Sequence, residues 1–207
     1  MEDRPDIVLP RRSLRQPSPS VVSGGDCGAC CIAGLLGISV EDAYEMQDPD
    51  CRPSSAKDKP VPFGWENMSH SLEWRSGGKI DAVLSNVPFW PDTIHEANTF
   101  FGFPGWNASI PWMKYVRMGL QAGYYGLCQI VFQGGGPLAL NNHWVMVCGA
   151  RQFSEPNPRV PGAWDIHDQL LVSCSAKCPE GYWLNHMDML RTYGGYNIIL
   201  ARPSSRS

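Results

Sequence analysis

The sequence predicts an α+β fold with a helical first part and an antiparallel sheet after it. Helix-like stretches crowd the first half of the chain, from Cys27 onward. Strand-like apolar runs fill the last third, at 126–133, 143–150, 164–168 and 197–201. No repeat is apparent, so helices and strands segregate, as α+β domains do.

Residues 1–20 are rich in Arg, Pro and Ser with no apolar period, and are expected to form an extended or mobile arm. The remainder, 21–207, is read as one domain, a length sufficient for one sizeable core. After the loop Ser23-Gly24-Gly25-Asp26, residues Cys27 to Leu36 read as a short apolar helix, closed by Gly37. Its small residues Gly28, Ala29, Ala33 and Gly34 let neighbours approach the backbone. Ser39 is placed to cap a second helix, Val40 to Gln47, with acids in its first turn. From Asp48 to Asn107 the chain is dense in Pro, Gly and Trp, and irregular structure is expected, with a short helix at Thr93 to Phe101. Ile110 to Ala122 reads as a helix with Pro111 in its first turn, and Leu184 to Thr192 as another.

Hydrophobic residues make up 43% of the chain and charged ones 18%, the balance of a folded protein. With a net charge of −3 and no basic stripe, nucleic acid is not an expected partner. No run reaches the ~18 apolar residues of a membrane span. The start lacks the basic end and apolar run of a signal peptide, so a cytoplasmic location is expected. In that setting the eight cysteines are read as thiols.

Cys27 is the first candidate for chemistry. It opens a helix directly after a Gly-Gly turn, and a helix N-terminus favours the thiolate, the nucleophilic form. Gly24 and Gly25 leave an approach to the sulfur, and Gly28 is expected to keep its other side open. Cys30 and Cys31 lie one turn inside the apolar helix and read as core. The natural base is His143, which leads the apolar strand His143-Trp144-Val145-Met146-Val147-Cys148 out of a polar loop. His70, His95 and His186 carry no such context. A third group should orient the imidazole. If strands 143–150 and 164–168 pair around a turn near Ser154 to Pro158, Asp168 stands opposite His143 and Asp165 opposite Met146, so Asp168 is the expected partner.

The segment Asp26-Cys27-Gly28-Ala29-Cys30 and the strand His143-Trp144-Val145-Met146-Val147 resemble the nucleophile and base segments of papain-like cysteine peptidases. The nearest resemblance is to the bacteriocin-leader (double-glycine) peptidases and their stand-alone relatives. Asp168-Gln169 stands where these carry Asp-Pro, and Gly194-Gly195-Tyr196-Asn197-Ile198-Ile199-Leu200 is similar to their tail strand. The likeness covers both ends of the chain but not 48–108. It implies a papain-like fold and a thiol protease activity: a Cys27-His143-Asp168 triad that hydrolyses a peptide or protein substrate through a thioester. It also implies an upstream glutamine at the oxyanion. Gln16 is the nearest, and otherwise the Cys27 N–H serves.

The same triad could transfer the acyl group to an amine or deamidate a side chain. A non-catalytic interaction module built on the eight tryptophans and many prolines is a further alternative. Zinc on Cys27, Cys30, Cys174 and Cys178 is disfavoured, because Cys30 and Cys31 run straight into Ile32-Ala33-Gly34-Leu35-Leu36 rather than a polar turn. No metal and no cofactor is therefore expected. Gly134-Gly135-Gly136 lacks the lysine of a phosphate loop and reads as a flexible approach to His143. Small residues border the approach to sulfur, so a small residue, glycine first, is expected at the cleaved bond. Trp65, Trp74 and Trp90 are candidates to grip substrate further away.

Overall fold

The computed structural model describes residues 6–12, 14, 17–22, 25–56, 58–84, 112–130, 143–175, 178–185 and 196–205. Within these the architecture is mixed helix and antiparallel sheet, as the segregated sequence pattern requires. Helix α1 (Cys27–Leu36) ends where Gly37 turns left-handed at φ 70° and returns its N–H to Ala33. Helix α2 (Val40–Glu45) starts at Ser39, whose side chain accepts from the Asp42 N–H at 3.0 Å. Short 3₁₀ turns follow at Pro49–Cys51 and Ser54–Ala56, then α3 (Trp65–His70), which continues into a π-helical turn at Ser71–Arg75. Helix α4 (Trp112–Gln121) precedes most of the sheet. No helix among the described residues is long and apolar enough to cross a membrane.

Among the described residues seven strands form one sheet: β1 (Ile7–Val8), β2 (Ile80–Leu84), β3 (Tyr125–Ile130), β4 (His143–Pro156), β5 (Trp164–Cys174), β6 (Cys178–Asn185) and β7 (Tyr196–Pro203). Their order is β2-β7-β3-β4-β5-β6, every pair antiparallel. β1 pairs with β4 at Val8↔Gly149 and Ile7↔Ala150, just beyond the stretch of β4 that β3 occupies. The described part of the N-terminal segment is tied down. Leu9 donates to the Cys148 carbonyl at 2.8 Å, and Leu14 is buried. A side chain at Gly149 would meet the Ile7 carbonyl at 2.8 Å, so glycine there is what lets β1 dock.

Side chains alternate along each strand and divide the core into two layers. Trp144, Met146, Cys148, Leu171 and Ile199 face the layer that holds α1, α2 and α3. Val145, Val147, Leu170, Val172 and Ile198 face α4 through Met113, Val116 and Leu120. Trp144 is fully buried and donates its indole N–H to the Phe63 carbonyl at 2.7 Å. Gly28 of α1 lies directly over this pair. An added Cβ would stand 2.5 Å from the Phe63 Cβ and 3.2 Å from Trp144, so the space at Gly28 belongs to packing and not to substrate. Gly28→Ala is expected to cost about 1–3 kcal/mol by overpacking, measured by urea unfolding; a cost below the scatter of such fits would show that Phe63 can yield.

Two strand expectations are extended, and the first two residues of the helix expected over 184–192 belong to a strand, the rest of that span lying outside the described residues. β4 and β5 run past the apolar stretches read from sequence, and residues Leu184 and Asn185 end β6 instead of starting a helix. β2 arises in the stretch expected to be irregular. The helix expected at 93–101 lies outside the described residues, as does the loop 134–142.

Candidate functional site

The first residue of α1 and the first residue of β4 meet. Cys27 is buried, at 9% exposure, and its sulfur receives the backbone N–H of Trp144 at 3.4 Å. The imidazole of His143 interacts electrostatically with the Cys27 side chain. Its Nε2 stands 2.9 Å from the sulfur of Cys174. Cys27 belongs to the α1 layer of the core and Cys174 to the α4 layer, so the ring bridges the two at the end of the sheet.

Burial alone would lower the His143 pKa. The hydrogen bonds to Cys174 and Cys27, and the charge these thiols carry when ionised, outweigh burial and push the ring up to about 10. The neighbouring thiols behave as core. Burial, with the charges of Asp26 and Cys27, pushes Cys30 up to about 12, and Cys31 is raised well above its usual value by burial and the surrounding thiols.

Asp26 holds the turn before Cys27. It is fully buried, yet it caps α1 without a side-chain bond to the helix. Its carboxylate points backward instead and accepts from the Val21 and Val22 N–H groups, each at 3.1 Å, from the Ser20 hydroxyl, and from the Tyr44 hydroxyl at 2.7 Å. Burial raises the Asp26 pKa, but the bonds from Ser20, Tyr44, Val22 and Val21 more than offset it and hold the carboxyl below its usual value. Gly25, at φ 113°, has a conformation that few other residues adopt, and a side chain there would meet nothing within 4 Å.

Asp168 does not join the site. β5 pairs with β4 so that Asp168 lies opposite Gln152, whose amide donates to it at 2.9 Å; Asp165 lies opposite Glu155. Gln152 is nine residues along β4 from His143, about 30 Å at strand rise. The hairpin turns at 157–162, later than expected. Asn157 accepts from the N–H groups of Arg159 and Val160, and Gly162 takes φ 80°. A bulge between Val147 and Gly149 adds a further register shift. Asp168→Asn is therefore expected to leave the alkylation rate of Cys27 unchanged; a loss comparable to that of a site variant would contradict this register.

Gln16 lies outside the described residues, and so do His95, His186 and Trp90. Trp65 stacks on Trp144 with ring centroids 6.0 Å apart and is part of the packing, while Trp74 is exposed beside His70. Sequence reasoning missed Cys174 and the Trp144 N–H. Cys174 ends an apolar run, Leu170-Leu171-Val172-Ser173-Cys174, and only the correct hairpin turn brings it to the imidazole.

The chain matches no protein-family model, and a search of curated proteins gave no significant match.

Proposed function

We propose that this protein is a cysteine-nucleophile hydrolase of papain-like type, acting on peptide bonds through a thioester on Cys27. The observation that carries this reading is the start of β4 set against the Cys27 thiol at a helix N-terminus, the Trp144 N–H on its sulfur and the neighbouring His143 imidazole interacting with it electrostatically, beside the glycine turn at Gly25. In this reading His143, its pKa raised to about 10, already holds the thiol proton near neutral pH, the Cys27 thiolate attacks the substrate carbonyl, and the imidazolium gives the proton to the leaving amine. Water then hydrolyses the thioester with His143 as base. Cys174, on Nε2, holds the ring in place of the carboxylate that sequence assigned to Asp168. The space around Gly25 among the described residues accords with a substrate that has a small residue, glycine first, before the cleaved bond.

The test is labelling with a peptide aldehyde or chloromethyl ketone that ends in glycine, located by mass spectrometry. Cys27 should react far faster than Cys30 or Cys31 near neutral pH. His143→Ala should slow it by at least about a hundredfold, the usual scale of a lost general base. The pH dependence has a defined sign. With the ring raised from 6.5 to about 10, the positive imidazole stabilises the fold fully below pH 6.5, and that contribution is lost as pH rises through about 10. The stability difference between the wild type and His143→Ala should therefore shrink over that window. Equal labelling of all thiols, or a rate indifferent to His143, would reject the hydrolase and favour an interaction module.

A further inference from the structure

A second cluster, independent of Cys27, lies in the stretch that sequence read as irregular. The side chains of Asp48, Cys51 and His70 converge: Nδ1 of His70 is 3.0 Å from the Cys51 sulfur and 2.9 Å from Oδ2 of Asp48, and that oxygen is 3.9 Å from the sulfur. Among the described residues this is the one group of His, Cys and acidic side chains close enough to share an ion. We propose that Asp48, Cys51 and His70 form a zinc(II) site, with solvent at the fourth position.

Local structure builds the ligand set. Asp48 caps the 3₁₀ turn through Oδ1, which accepts the Asp50 N–H at 3.1 Å, and this leaves Oδ2 directed at His70 and Cys51. The turn carries Cys51 three residues on, to the same side. His70 ends α3, and its ring packs on Trp74 at 4.2 Å, which limits its rotation. All three groups are half-buried, so an ion can enter. Tetrahedral bonds of about 2.0–2.3 Å put ligand atoms roughly 3.3–3.8 Å apart, so shifts of a few tenths of an ångström would admit the ion. A sulfur, an imidazole and one carboxylate suit zinc and not magnesium or calcium, which take oxygen. Asp50 and Glu66 add negative charge near the sulfur and Arg75 a positive one near Asp48, a balance that still favours a dication. On binding, the Cys51 S–H bond breaks, its proton passes to solvent and the thiolate coordinates. The ion would join the 48–51 turn to α3. The spacing, three residues and then nineteen, matches no compact metal motif, so nothing in the sequence singled out this trio.

The experiment titrates the metal-free full chain with Co²⁺ and then Zn²⁺. One Co²⁺ per chain with thiolate-to-metal charge-transfer absorption, displaced by Zn²⁺, is the expected result. The band should persist in a Cys27→Ala/Cys174→Ser variant and vanish in Cys51→Ser. Asp48→Asn, which keeps the cap oxygen, should weaken binding by at least about tenfold. On the unmodified chain, Zn²⁺ should also slow alkylation of Cys51, a readout that requires no variant. Absence of the band in the wild type, its survival in Cys51→Ser, or alkylation of Cys51 indifferent to Zn²⁺ would overturn the proposal.

Discussion

In the proposed hydrolase, Cys27→Ala should abolish cleavage of glycine-containing peptides, with a fall in kcat on the order of a millionfold, because a nucleophile and its base act as a unit. The fold should survive. The substitution removes one sulfur atom at a position 9% exposed and leaves the Asp26 network untouched, so a stability change of about 1 kcal/mol or less is expected. Cys30→Ala is the matched control. Cys30 is buried within α1 and its thiol is pushed up to about 12, so at neutral pH it is protonated and inert. Its loss should cost about 1 kcal/mol through a small cavity and leave turnover near that of the wild type. Loss of activity in Cys30→Ala with stability unchanged would mean that the wrong thiol has been assigned.

Asp26→Ala should have the largest effect on stability. Four donors converge on this buried carboxylate, two of them backbone N–H groups and one the buried Tyr44 hydroxyl. Bonds to an ionised acceptor contribute about 1.5–3 kcal/mol each, and buried donors left without a partner add to the cost. A loss of about 3 kcal/mol or more is expected in urea unfolding, even with relaxation of the 20–26 turn. The pH dependence follows from the lowered pKa. The stabilisation is complete above the usual value of 3.8 and is lost as pH falls through the lower folded value. The wild type should therefore lose its advantage over Asp26→Ala in acid. A variant less than about 1 kcal/mol weaker at neutral pH would show that the turn does not depend on this carboxylate. In Asp26→Ala that remains folded, slower alkylation of Cys27 is also expected, because the turn that presents the sulfur is loosened.

What could be read without a structure was local. Helix α1 has the bounds its sequence suggests, Cys27–Leu36, because an apolar run and Gly37 are decided by neighbours within one turn. Ser39 caps α2 for the same reason. The start of β4 at His143 was visible as the edge of an apolar strand, so both halves of the Cys27–His143 pair could be named from sequence. Their approach to one another could not be derived from spacing, since 116 residues separate them.

The outer halves of β4 and β5 were invisible to a hydrophobic pattern. From Arg151 to Pro156 and from Trp164 to Gln169 the ribbon extends beyond the core, and polar cross-strand pairs hold it. Arg151 donates to Gln169 at 2.7 Å, and His167 stands 2.9 Å from Glu155. Without apolar alternation, sequence placed the turn too early, near 154–158. The turn chemistry of Asn157 and Gly162, together with the bulge at Cys148, sets the true register. Register is cumulative, so a misplaced turn displaces every pair along the strands. Asp168 moved to the far end of β4, and Cys174 took the place beside His143. The trio Asp48, Cys51 and His70 was hidden for a related reason: a turn and a helix end bring it together, with no periodic signal linking them. Sequence thus determined the helix that carries the thiol and the strand that carries the imidazole. The tertiary structure alone decided what holds the imidazole, because that depends on strand register and not on any residue's own neighbours.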